Sequence, residues 1–372
     1  MLTFNNKIIT YNTKWIGDTY TPQPLGPGIL RVRTNDGNPP NKGALAEYES
    51  ATLVPGTTDL YDVYKEGTDF SYLLFYAYNV TEVVDANISG ITNMYGMFEG
   101  CTNLRSMPLF DTSSCITMIH MFKGCTSLTT IPSFNTANVR SMESMFYGCS
   151  SLTSVPLINT SNVTNMHEMF KYCTSLTTVP LFDTSSVTNM YSMFYGCTSL
   201  TSVPLFNTSS VTTMYDMFLD CTSLTSVPLF NTSNVTIMER MFQNCTSLTT
   251  IPLFDTSKVT RTVSMFEGCT ALTTVPLINT ATVRDMNAMF FNCSALTNIP
   301  LFDTSSCVRV TLMFSGCTNV ESGSLALYNQ MSTQTTPPNA HDRTFQNCGS
   351  NTTTGAAELA QIPTSWGGTL ST

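Results

Sequence analysis

Cys197-Thr-Ser-Leu-Thr-Ser-Val-Pro-Leu-Phe-Asn-Thr-Ser-Ser-Val-Thr-Thr-Met-Tyr-Asp-Met-Phe-Leu-Asp220 belongs to a run in which the motif Met-Phe-x-x-Cys returns every 24 residues. Its cysteine stands at Cys101, Cys125, Cys149, Cys173, Cys197, Cys221, Cys245, Cys269, Cys293 and Cys317, without a slip of register. Such a period marks a solenoid, because each unit carries one narrow apolar face that only a neighbouring copy can bury. About ten coils at ~4.8 Å each predict an array roughly 50 Å long.

Within the unit, Leu200, Val203, Leu205 and Thr208 follow the leucine-rich-repeat spacing L-x-x-L-x-L-x-x-(N/T/C), which predicts a parallel strand near Ser202 to Phe206. Met214, Met217 and Phe218 lie at i, i+3 and i+4, which predicts one helical turn with Thr212 or Thr213 as its N-cap. Where this copy ends in Asp220, most end in glycine, as at Gly100, Gly148 and Gly196, which suits a residue of positive φ. The expected fold class is a repeat solenoid, leucine-rich-repeat-like, with parallel β-strands, one short helical turn per coil and a small, mainly β N-terminal domain.

The period assigns residues 88–318 to the solenoid, 1–87 to an attachment and capping domain, and 319–372 to a degenerate last repeat and cap. Ile29 to Arg33 alternates like a strand, and the aromatic and β-branched stretch Tyr72 to Val84 is the candidate cap of the first coil. Ser322 to Met331 has the character of a helix.

Of 372 residues, 42% are apolar and only 11% charged, with a net charge of -9. With no basic run, nucleic acid and anionic membrane are excluded as main partners. No stretch reaches the roughly 18 to 20 apolar residues of a membrane span, so membrane insertion is not expected. The N-terminus lacks the basic start and apolar run of a signal peptide, which predicts synthesis in a host cytoplasm and release by another route.

Eleven of the thirteen cysteines, Cys348 included, share one repeat position; Cys115 and Cys307 stand where other copies have valines such as Val211. A cysteine that trades with valine is a small buried apolar group, so a reduced thiol column is expected. There is no Cys-x-x-Cys pair, and His120, His167 and His341 keep no fixed offset from the cysteines, so neither metal nor cofactor is expected.

The unit Met-Phe-x-Gly-Cys-Thr-Ser-Leu-Thr-Ser-Val-Pro-Leu-Phe-Asn-Thr-Ser-x-Val-Thr-x-Met resembles the repeats of BspA-like leucine-rich surface proteins over about residues 88 to 348. That resemblance implies a binding role, since members are mostly bacterial surface proteins implicated in adhesion. The opening Leu2-Thr-Phe-Asn-Asn-Lys-Ile-Ile-Thr-Tyr-Asn-Thr-Lys-Trp-Ile-Gly17 is similar to the starts of structural proteins of phages of gut bacteria. It implies a virion or tail-appendage protein, docked on other virion proteins through its N-terminal domain.

An enzyme is not expected. Catalysis needs different polar groups converging at one point, whereas the array repeats Ser, Thr and Asn in every coil, and pairs such as Glu168 with Asp216 sit at variable positions. Asp alternates with Asn at the corner position, as at Asp183, Asn207, Asn231 and Asp255, which suits an Asx turn better than a calcium ladder.

Two surfaces are candidates for binding. Copy-to-copy variation concentrates on the helical turn, where Tyr147, Tyr172, Tyr191, Tyr195 and Tyr215, with His167 beside them, would form an aromatic patch. Alternatively these tyrosines cover the Met and Phe beneath. On strict strand alternation Phe110, Phe134, Phe182, Phe206, Phe230, Phe254 and Phe302 share an outer face with the repeat prolines, forming an apolar stripe. The other possibility is that proline breaks the strand and Phe turns inward. Three functions fit: a phage virion protein presenting a receptor-binding surface to a host protein or glycan, a bacterial cell-surface adhesin, and an architectural spacer. A homo-oligomer fits any of them.

Overall fold

In the computed structural model, the described residues are 24–370 together with four short strands near the start, β1 (Thr3–Phe4), β2 (Lys7–Ile8), β3 (Lys14–Ile16) and β4 (Thr19–Thr21). Outside those strands, the opening segment Leu2 to Gly17 lies beyond the described residues. The chain divides into two compact units, Met1–Thr164 and Asn165–Thr372.

The first unit contains an antiparallel sheet of β5 (Ile29–Thr34), β6 (Ser50–Leu53), β7 (Leu60–Tyr64) and β8 (Val80–Asn87), in the order β6-β7-β5-β8. The alternation seen at Ile29 to Arg33 is β5, with Leu30 and Val32 buried. The stretch Tyr72 to Val84 is not one strand. Its first half already has the turns of a coil: the N–H groups of Phe70, Tyr72, Leu74 and Tyr76 donate to the carbonyls of Asn93, Tyr95, Met97 and Glu99. Its second half is β8, which pairs with β5. Coil geometry thus begins near Asp69, which bridges in parallel to Asn93, ahead of the boundary at residue 88.

In the second unit the core is columnar. Leu200, Val211, Met214, Met217, Phe218 and Cys221 are all fully buried, as are their equivalents in neighbouring coils. Phe194, Phe218 and Phe242 stack at 5.6 Å. The thiols from Cys197 to Cys317 at the repeat position each donate to a phenylalanine carbonyl of an adjoining coil, as Cys197 Sγ does to Phe170 O at 3.0 Å, while Cys307 donates to Arg309 O. All described cysteines are free and buried, and burial pushes the thiols up, Cys307 to about 11, so they are poor nucleophiles. Buried Thr208 donates to Asn231 O at 2.8 Å, and Thr184, Thr232 and Thr256 do the same one coil apart.

The leucine-rich-repeat-like solenoid stands, but two local expectations are corrected. Parallel bridges do not run through Ser202 to Phe206 but through Asn189, Thr213, Ile237, Arg261, Asp285 and Arg309. The expected strand survives only at its start, where Thr201 N donates to Thr177 O and, in the last coil, Asn298 bridges to Ser322. Pro204 has no N–H to give a ladder. Its carbonyl instead accepts from Phe206 N at 2.9 Å, closing a three-residue γ-turn with Leu205 at its apex. Met214 to Asp220 is not a helical turn either. Met217 N returns to Met214 O and Cys221 N to Phe218 O, while Met214, Asp216, Phe218 and Asp220 donate to the next coil. The segment is a chain of β-turns whose third residues, Asp216 (φ 57) and Asp220 (φ 59), are left-handed. Glycine takes the second of these positions at Gly196 and Gly268, as its place in the repeat predicted.

At the C-terminal end, α1 (Ser324–Ser332) covers the last regular coil of the second unit. Gln330 donates to Phe302 O and Gln334 to Thr304 Oγ1, replacing contacts that a further coil would make. Glu358 of α2 (Thr353–Leu359) accepts from Ser324 Oγ and Leu325 N, satisfying the open start of α1.

Candidate functional site

The γ-turn decides which apolar column faces out. Because the chain reverses at Leu205, Val203 and Phe206 both point inward, 8% and 2% exposed, while Leu205 is 59% exposed. The phenylalanine stripe is therefore overturned: Phe110, Phe134, Phe182, Phe206, Phe230, Phe254 and Phe302 are all buried. In their place stands a column the sequence had assigned to the core. Leu181, Leu205, Leu229, Leu253, Leu277 and Leu301 project from six successive coils of the second unit, each between 55% and 60% exposed. Leu109 and Leu157 do the same in the first unit, with Ser133 between them.

The varied positions gather on the parallel-bridge and β-turn columns. In the second unit His167 meets Tyr191 edge-on at 4.7 Å, and Tyr191 stacks on Tyr215 at 5.1 Å. Tyr172, 37% exposed, packs against Tyr195 at 4.9 Å, and Lys171 lies over both rings. The hydrogen bond to Tyr172 pushes the Tyr195 phenol up to about 12. Arg240 covers the Tyr215 ring at 4.8 Å and pairs with Asp216 at 2.9 Å. Five of the six expected patch residues thus meet in two side-by-side clusters. The sixth, Tyr147, belongs to the first unit, where Lys123 lies 5.7 Å over its ring. A comparable cluster there was not singled out from the sequence: Tyr95 packs on Tyr72 and His120, and Glu99 pairs with Lys123 at 3.3 Å.

Corner aspartates accept locally, Asp183 from the Ser185 hydroxyl and then its N–H, Asp255 likewise from Ser257, which holds both below the usual carboxylate range. Among the described residues no group of three His, Cys, Asp or Glu side chains is placed to share a metal ion.

Asp216 has the opposite environment. Burial outweighs the Arg240 guanidinium and pushes its carboxyl from 3.8 up to about 6. The folded state therefore binds this proton more tightly than the unfolded chain, so the contribution to stability is full below pH ~4 and is lost as pH rises through 6. With solvent screening the loss is on the order of 1 kcal/mol. Urea midpoints measured from pH 4 to 7 should show Asp216→Asn without this descent; an unchanged slope would exclude Asp216 as its source.

Together these features define a leucine-rich-repeat solenoid with a recurring exposed leucine column and a varied polar-aromatic face. The chain belongs to the family described as "Mycoplasma protein of unknown function, DUF285", which matches residues 61–181, 177–276 and 273–348, and its units are of the BspA-like type. Among solved structures it is similar to a leucine-rich repeat protein from Eubacterium ventriosum, at 18% identity over 61% of this chain and 74% of that one, with a TM-score of 0.37. It is also similar to a leucine rich repeat protein of T. pallidum, at 20% identity over 63% and 82% of the two chains, with a TM-score of 0.30. No curated protein matches it.

Proposed function

We propose that this chain is a non-enzymatic recognition protein, presented outside the cell that makes it, which reads a protein or glycan partner with the varied face of its second unit. One observation carries this: positions that differ from coil to coil gather there, with His167, Tyr191, Tyr215 and Arg240 held in place by stacking and ion pairing. Rings ordered before binding lose little entropy on contact, and Tyr and Arg are the usual anchors of interfaces. The repeating Ser, Thr and Asn elsewhere offer no convergent set for catalysis.

Replacing Tyr191 and Tyr215 by Ala together should weaken attachment of the labelled protein to its target cells by at least ~1 kcal/mol per anchor, with the thermal melt retained. Undiminished attachment would remove this face as the contact. The family likeness supports a bacterial cell-surface adhesin, and the opening segment Leu2 to Gly17 supports a phage virion or tail appendage attached through residues 1–87. Mass spectrometry of purified particles against cell envelopes separates the two.

A further inference from the structure

The leucine column has no duty inside its own coil. Core requirements explain Val203, Phe206 and Phe218, which are buried, but not a residue that stays about three-fifths exposed in six successive coils. Six such leucines with the half-buried prolines beside them present on the order of 600 to 800 Å², far more than a scatter of single apolar residues and close to one side of a stable interface. We propose that the column from Leu181 to Leu301 is a seam at which two copies of this chain pair, parallel, about a two-fold axis running along the column.

Three features select a second copy as the occupant. The first is pitch: leucines recur once per coil, at ~4.8 Å, whereas the 5.4 Å turns of an α-helix would slip by about 3 Å over five steps. A second copy has the matching pitch by construction. The second is charge. One exposed flank of the column, the position of Ser202, is Thr, Ser or Asn in all six coils, and the other carries carboxylates only at Asp183, Asp255 and Asp303. Neither flank position carries a cation, Lys258 beside Asp255 being bound to Asn234 Oδ1, and three spaced anions suit neither a basic nor an acidic partner but a neutral apolar stripe like the column itself.

The third is orientation. An antiparallel pair would set the two carboxylate flanks together, bringing Asp183 of one copy toward Asp303 of the other. A two-fold axis along the column instead sets each carboxylate flank against the hydroxyl flank of its mate, removing that repulsion. In this parallel arrangement each leucine meets the same leucine of the second copy, and the varied columns of the coil take no part in the seam.

Sedimentation of the full chain should show a concentration-dependent dimer. Leu229→Glu with Leu253→Glu should weaken it at least about 100-fold while leaving the circular dichroism unchanged, and the melting temperature unchanged at concentrations where the parent is monomeric, since both sites are exposed. Mild oxidation of Leu229→Cys should trap a dimer linked at that position, because every described native thiol is buried. A monomer up to about 100 µM, or a dimer that tolerates both glutamates, would overturn the seam. If Leu229→Cys mixed with Leu253→Cys cross-linked 229 to 253 in preference to 229 with itself, the parallel arrangement would be overturned.

Discussion

Phe206→Ala should cost about 3 to 5 kcal/mol of stability, whereas Leu205→Ala, one residue away, should stay within about 0.5 kcal/mol. Both are large apolar side chains in the same column set, and strict strand alternation would have ranked them the other way round. Phe206 is 2% exposed, and its ring lies 6.2 Å from that of Phe194 and 6.5 Å from that of Phe182. Truncation leaves a cavity in a column whose neighbours are fixed by coil-to-coil hydrogen bonds and so relax little. Leu205 stands at the apex of the γ-turn, 59% exposed, so its removal opens no cavity within its own chain, and the comparison is made on monomer at low protein concentration. Urea denaturation of the two variants in parallel decides the matter; equal losses would mean that the turn does not divide the two columns as described.

Deleting residues 198–221 should leave a cooperatively folding protein, whereas deleting only 198–209 should abolish cooperative unfolding of the second unit. The first deletion joins Cys197 to Thr222, restoring the Cys-Thr junction of the parent, and every column closes with its next member. Stability then falls by roughly one repeat and one interface, as in any array of nearest-neighbour contacts. The second joins Cys197 to Ser210 and removes Leu200, Val203, Phe206 and Thr208 from one coil. The remnant is too short to pass around the core, and Thr184 loses the Asn207 carbonyl on which it depends. Thermal melts followed by circular dichroism distinguish the outcomes, and equal tolerance of both deletions would show that 24 residues are not the folding unit.

The varied face was partly legible in the sequence. Tyr191, Tyr195 and Tyr215 could be grouped because a constant period puts equivalent positions of successive units side by side. Arg240 could not, since its bond to Asp216 depends on side-chain reach between coils. The Tyr95 and His120 cluster was equally visible in register, but nothing in the sequence separated it from ordinary surface residues. Leu205 was hidden for another reason: in leucine-rich-repeat spacing a leucine at that place reads as core, and composition does not tell an inward from an outward leucine.

By itself the sequence determined the period, the solenoid, the buried columns of Leu200, Val203, Val211, Met214, Met217, Phe218 and Cys221, and the left-handed position that glycine shares with Asp220. These follow from one physical fact, that a face repeated every 24 residues can be buried only by its own copies. Where the ladder runs and which way Leu205 and Phe206 face were decided by the tertiary structure alone. A spacing of i, i+3, i+4 is produced by linked β-turns as readily as by a helix, and the choice rests with backbone N–H groups. When alternate N–H groups, those of Met214, Asp216, Phe218 and Asp220, find carbonyls on the next coil, the helix loses its donors and the turns prevail.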